Sequence, residues 1–111
     1  MEYKSQYRFA GISARKVRYV LDLIRGKHVE DAIRILRQTN KRASAMVDKT
    51  LRSAVANADE SLVADMENLY VKTAMADEGP TRRRFRPRAR GRATVERRRS
   101  SHITIVVEDN T

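Results

Sequence analysis

The chain has 111 residues, with 24 Lys and Arg against 14 Asp and Glu, for a net charge of +10 and an isoelectric point near 10.7. That length allows one domain with a modest core, and 41% apolar residues are enough to fill it. The absence of Cys excludes disulfide staples and thiolate zinc sites, and no apolar run approaches the length of a membrane span.

The opening "MEYKSQYRF" is polar and mixed in charge, so no signal peptide is expected and the cytosol is the default compartment. "QYRFAGI" reads as a strand with Tyr7 and Phe9 on one side and Arg8 on the other. Ser13 is placed to cap a helix whose apolar residues Val17, Val20, Leu21 and Ile24 recur at helical spacing, with Gly26 as the stop. A second run repeats the spacing with Val29, Ala32, Ile33 and Leu36. Thr39 or Asn40 is expected to cap a third, longer helix reaching Ala58, with Ala43, Val47, Leu51, Ala54, Val55 and Ala58 on one arc of about 120°. Lys41, Arg42, Lys49 and Arg52 fall on a separate arc of about 100°, a basic face that either meets a polyanion or is simply solvated.

The polar, acidic stretch from Asp59 to Asn68 reads as a surface loop. "LYVKTAMA" alternates Leu69, Val71, Thr73 and Met75 against Tyr70 and Lys72, and "HITIVVE" alternates Ile103, Ile105 and Val107 against Thr104 and Val106. These two strands flank the arginine-rich segment directly. If they pair as antiparallel neighbours, everything between them is forced into a hairpin. The two histidines, His28 and His102, have no partner at metal-ligand spacing, so neither a metal nor a cofactor is expected.

The span from Arg82 to Arg99 holds ten Arg, no Lys and one acid, Glu96, and so carries nine of the ten net positive charges. Charge this localised points to a polyanionic partner. A disordered basic loop, an ordinary hairpin and an extended arm all compete as descriptions of it. Arg82, Arg84, Arg86, Arg88, Arg90 and Arg92 share parity, and extended backbone would set the first four against Phe85, Pro87 and Ala89. Pro80 and Pro87 oppose helix, and Gly91 is the natural turn. Limbs of about ten residues would reach about 30 Å, farther than so small a body can cover. A lone ribbon is marginal in water, so an arm this charged should order against phosphate. Guanidinium bonds phosphate bidentately and stacks on bases, which ammonium does not.

The stretches "GISARKVRYVLDLIRGK", "SAVANA", "DEGPTRRRFRPRARGRA" and "SSHITIVV" together resemble the family of bacterial large-subunit ribosomal protein twenty-two, in the family's order and over nearly the whole chain. The resemblance implies an α+β fold, with three helices packed on a small three-stranded antiparallel sheet and a long protruding Arg-rich β-hairpin. The expected organisation is one domain, with a body at residues 1–79 and 100–111 and the hairpin at 80–99. It further implies a structural constituent of the large subunit that binds its ribosomal RNA near the mouth of the polypeptide exit tunnel, supports assembly and sends its hairpin inward to help line that tunnel. Two departures from the family pattern stand out. Ala14 replaces a frequent Pro, and Arg82 an often apolar residue.

On this reading the RNA-binding residues are Arg15, Lys16, Lys27, Lys41, Arg42, Lys49 and Arg52 on the body, with Arg82, Arg83, Arg84, Arg86, Arg97, Arg98 and Arg99 on the arm. The tunnel-lining tip would be Pro87, Arg88, Ala89, Arg90, Gly91 and Arg92. Expected partners are large-subunit ribosomal RNA, neighbouring ribosomal proteins and the passing nascent peptide. No membrane, small-molecule substrate or homo-oligomer is expected.

A DNA-binding ribbon is the main rival, but such readers place Asn or Gln among their basic residues, and this arm has neither. Ser100, Ser101 and His102 are adjacent, yet neighbours in a strand face opposite ways, and no paired carboxylates accompany them. An enzyme is therefore not expected. His28 reads as a helix-end or RNA-facing residue and His102 as a sheet residue. Phe85 and Val95 are too few for a membrane-active face.

Overall fold

In the computed structural model, which describes residues 1–109, the strand carrying Ile103, Ile105 and Val107 is the centre of the fold. It is β5 (Ser101–Asp109), flanked by β1 (Glu2–Ala10) and β2 (Leu69–Glu78), and both pairings are antiparallel. Three helices lie between β1 and β2 in sequence: α1 (Ala14–Ile24), α2 (Val29–Gln38) and α3 (Arg42–Glu60). Two further strands, β3 (Arg82–Pro87) and β4 (Ala93–Arg98), pair only with each other. The architecture is α+β, as the resemblance implied.

The core joins one face of the sheet to the apolar faces of the helices. Ile103, Ile105 and Val107 meet Val17, Leu21, Ile24, Val47 and Leu51, all fully buried. Each such Leu or Ile contributes about 1.5–3 kcal/mol through apolar area removed from water. No residue of β3 or β4 enters this core.

Two strands depart from simple alternation, each through one extra residue in the ladder. The β1 register shifts between Tyr7 and Ala10, and Phe9 takes a positive φ of 56° with its ring 60% exposed. Phe9 therefore does not share a buried face with the half-buried Tyr7. In β2 the shift falls between Val71 and Thr73. It inverts the expected phase, so that Ala74 and Ala76 are buried while Met75 is 44% exposed. A bulge places two residues opposite one and turns every later side chain over.

The helix ends also differ in detail. Ser13 is the N-cap of α1, but its hydroxyl makes no capping bond, and Gly26 (φ 73°) follows the last turn as the expected stop. Thr39 ends α2 instead of starting α3, its Oγ1 donating to the Ile35 carbonyl at 2.7 Å. Lys41 is the N-cap of α3, and that helix runs to Glu60, two residues beyond the expected end. His28 caps α2 by accepting from the Glu30 N–H through Nδ1 at 3.2 Å, which makes it a helix-end residue.

β2 is an edge strand, and arginines from α1 and its C-cap cover its open carbonyls. Arg18 donates twice to the Ala76 carbonyl, at 3.1 and 2.8 Å, and Arg25 once to that of Ala74 at 2.9 Å. Backbone bonds from Gly26 and to Lys27 satisfy Val71. Unpaired strand edges invite pairing with other chains, so these two arginines serve the fold.

The far end of the sheet is fixed by carboxylates. The buried Asp109 accepts from the Asp65 N–H and from the Met1 amine, each at 3.1 Å. The backbone donor and then the amine hold its carboxyl below the usual range. Glu108 is likewise held low, first by the Tyr70 hydroxyl at 3.0 Å and then by Lys72. Their folded forms thus resist protonation more than their unfolded forms. The resulting stability is complete above the ordinary carboxylate range near pH 4 and is lost as pH falls through the lowered folded values. An Asp109→Asn variant is expected to melt lower than the native chain at neutral pH. That gap should narrow on acidification, as read by circular-dichroism melts across the acid range.

Candidate nucleic-acid interface

The arginine-rich segment leaves the body as a continuation of the β2–β5 pair. The ladder ends at Glu78 opposite Ser101, the Gly79 N–H donates to the Ser100 carbonyl at 2.9 Å, and Ser100 Oγ donates to the Pro80 carbonyl at 2.7 Å. At Gly79 an added Cβ would lie 2.6 Å from Ser100 Oγ and 3.3 Å from the Ser100 backbone. A larger residue here would have to displace the Ser100 hydroxyl from its bond to Pro80 and press on the Ser100 backbone.

Beyond the root, Arg82 pairs with Arg98, Arg84 with Glu96 and Arg86 with Thr94. Directly opposed residues share a sheet face, so these six form one face, on which Arg86 Nε lies 3.0 Å from Glu96 Oε1. The other face carries Phe85 opposite Val95 and Pro87 opposite Ala93, with Arg83 and Arg97 nearer the root. Phe85 is 68% exposed and Val95 47%. The connection is a tight turn in which Arg90 and Gly91 both have positive φ, 64° and 71°. Arg88 Nε there donates to Thr94 Oγ1 at 3.1 Å. The described chain extends 64 × 24 × 16 Å, with a radius of gyration of 17.1 Å. A compact chain of this length would give about 13 Å.

The structure sorts the predicted basic residues into groups. Lys16, Lys41 and Arg42 of the body meet Arg97, Arg98 and Arg99 of the arm root across an open cleft of about 1020 Å³, which Gly11, Ile12 and Ser13 also line. Arg15 lines a second cleft of about 410 Å³ on the other side of the root, with Arg83, Arg97 and Arg99. Lys49 and Arg52 lie farther along α3 and are engaged there. The Lys49 ammonium sits 5.8 Å above the Tyr7 ring, and Arg52 pairs with Asp48 at 3.1 Å. Lys27 lies at the opposite end of α1 from the large cleft, where its carbonyl accepts from Val71 N–H. The basic face of α3 is thus divided, with its N-terminal pair facing the arm.

One residue of the large cleft was not singled out from the sequence. Tyr19 projects from α1 into it and is 60% exposed. A lone Tyr on the polar side of an amphipathic helix carries no distinguishing pattern, so only the position of the arm root reveals it. At the end of β1, His102 Nδ1 accepts from Phe9 N–H at 3.0 Å, and the two rings meet edge to face with centroids 4.9 Å apart. His102 is therefore a sheet residue that holds the bulge.

A small α+β body joined to an arginine-rich ribbon, with cationic clefts at the joint, defines a structural protein built to bind a polyanion. Residues 5–108 match the family described as Ribosomal protein L22p/L17e. The chain belongs to that family, whose role is structural and not enzymatic. It is 57% identical over 109 residues to large ribosomal subunit protein uL22 of Thermoanaerobacter sp. (strain X514), covering 98% of both chains. Identity is 56% to uL22 of Macrococcus caseolyticus (strain JCSC5402), over 98% of this chain and 88% of that one. It is 54% to uL22 of Staphylococcus aureus (strain JH9), over 98% and 93%.

Proposed function

We propose that the chain is a structural constituent of the large ribosomal subunit in the cytoplasm, and that it holds large-subunit ribosomal RNA with its body clefts and its ribbon. The observation that carries this reading is the concentration of nine net charges in a ribbon whose residues are all exposed except the half-buried Glu96. Phosphate is the complementary partner, and guanidinium suits irregular RNA through both bidentate bonding and stacking. The body at 1–79 and 100–111 anchors the chain, and the hairpin at 80–99 reaches into RNA. The body supplies Arg15, Lys16, Lys41 and Arg42 as the principal contacts, with Lys27, Lys49 and Arg52 peripheral. Arg82, Arg83, Arg84, Arg86, Arg97, Arg98 and Arg99 line the ribbon.

By its place in the family's pattern, the tip from Pro87 to Arg92 lines the exit tunnel beside the nascent peptide. The small Ala89 and Gly91 suit a passage that bulky side chains would obstruct. Neighbouring ribosomal proteins complete its surroundings, and the chain acts as a single copy. Ultraviolet crosslinking of the intact chain in cells, followed by sequencing of the attached nucleic acid, is expected to recover mostly large-subunit ribosomal RNA. Recovery dominated by DNA or messenger RNA would refute the proposal.

A further inference from the structure

The large cleft at the arm root brings six cations together from separate parts of the chain. Elsewhere some cations are paired within the protein: Arg25 with Asp22, Arg34 with Asp31, Arg52 with Asp48, Lys72 with Glu2 and Glu108, and Arg86 with Glu96. Among the described residues, none of the six cations of the cleft has an acidic partner, and no acidic residue lines it. Six uncompensated charges across a concave surface create a strong local field for an anion. The helices add to it. Both α1 and α3 begin beside the cleft without a side-chain cap and without an acid in the first turn, leaving their N-terminal dipoles unopposed.

Tyr19 supplies what a phosphate alone would not need. Its ring lines the cleft among these cations and is largely exposed. Flat aromatic surface beside a cationic groove is the arrangement by which single-stranded nucleic acid is held, with bases stacking on rings while the backbone follows the charge. A protein partner of matching acidity would satisfy the cations but leave the ring without a stacking role.

We propose that the cleft takes an unpaired segment of RNA, with one nucleobase stacked on Tyr19 and its flanking phosphates held by Lys16, Lys41 and Arg42 from the body and Arg97–Arg99 from the arm. The inference rests on the RNA-binding reading above and deepens it. Because the cleft walls come from both parts of the chain, a strand seated there also ties the direction of the arm to the body.

The test uses the full chain and an in vitro transcript of bacterial large-subunit ribosomal RNA, with affinity measured across a range of salt. Tyr19→Leu is expected to bind about 5- to 140-fold more weakly, the effect of losing one base–aromatic stack. Its salt slope should match the native one, because no charge is lost. Tyr19→Phe, which keeps the ring, should bind within about twofold of the native chain, since stacking needs the π-face and not the hydroxyl. Joint replacement of Lys41 and Arg42 by Ala should instead flatten the slope by about 1.4, at about 0.7 per phosphate released. Melting temperatures of all variants should stay close to native, because these side chains are exposed. A native chain that binds with a steep slope while Tyr19→Leu binds equally well overturns the stacking site and leaves the RNA reading intact. Equal weakening by Leu and Phe overturns it too. A native chain that fails to bind the transcript overturns the RNA reading itself.

Discussion

Replacing residues 80–99 with an Asn-Gly turn between Gly79 and Ser100 is expected to leave a folded domain while weakening affinity for large-subunit ribosomal RNA at least about 100-fold. The first half of this expectation comes from where the core is. Every fully buried side chain, from Val17 and Leu21 to Ile103 and Val107, lies outside the excised span. The ladder already brings Gly79 and Ser100 to hydrogen-bonding distance, so a two-residue turn of the kind that closes antiparallel pairs can bridge them. The second half follows from charge: excision removes ten Arg, including three of the six cations of the large cleft. Circular dichroism should show a cooperative melt close to native, and filter binding should show the affinity loss. A truncated chain without a cooperative transition would make the ribbon part of the folding unit.

Binding by the intact chain should depend steeply on salt. If about six phosphates are neutralised on irregular RNA, log affinity against log salt slopes by roughly −4, at about 0.7 per phosphate. Raising salt fourfold, from about 50 to about 200 mM, would then weaken binding roughly 250-fold. The six free cations of the cleft alone could account for that number, with the ribbon adding to it. A slope near zero would mean that shape or apolar contact carries the affinity, and it would remove the electrostatic basis of the proposed function.

The helices and the central strand were legible because each is written in a period. Val17, Val20, Leu21 and Ile24 repeat at helical spacing, and Ile103, Ile105 and Val107 alternate; all seven side chains are buried. The parity of Arg82, Arg84 and Arg86 likewise survives in the β3–β4 register, where they share a face opposite Phe85 and Pro87. What failed was anything decided by a single inserted residue. The bulges at Phe9 and Lys72 invert the phase of Met75 and expose Phe9, yet no local composition marks them, because a bulge is chosen by the fit of two strands. The start of α3 at Lys41 was missed for a related reason: the capping side chains expected at Thr39 and Asn40 are not the ones at the boundary.

The site was legible in its charge and illegible in its division of labour. Arg18 and Arg25 look like any other surface arginines until β2 is seen to be an edge whose carbonyls need donors. The four cations assigned to one face of α3 separate in the structure, two facing the arm root and two engaged with Tyr7 and Asp48. Tyr19 acquires meaning only from residues some eighty positions away, which no local window can bring beside it.

The ribbon is a lever whose pivot is the hydrogen-bonded root at Gly79, Pro80 and Ser100. Six extended residues span about 20 Å, so a rotation of about 10° at the pivot would carry the far end sideways by about 3.5 Å, nearly the separation of successive residues along the strand. Wherever the tip has to sit among fixed neighbours, its aim is therefore sensitive to Gly79 and Ser100, where an added Cβ on Gly79 would press on Ser100. Changes at this pivot should redirect the tip without altering a single residue of it, and they belong beside tip substitutions in any survey of what the ribbon does.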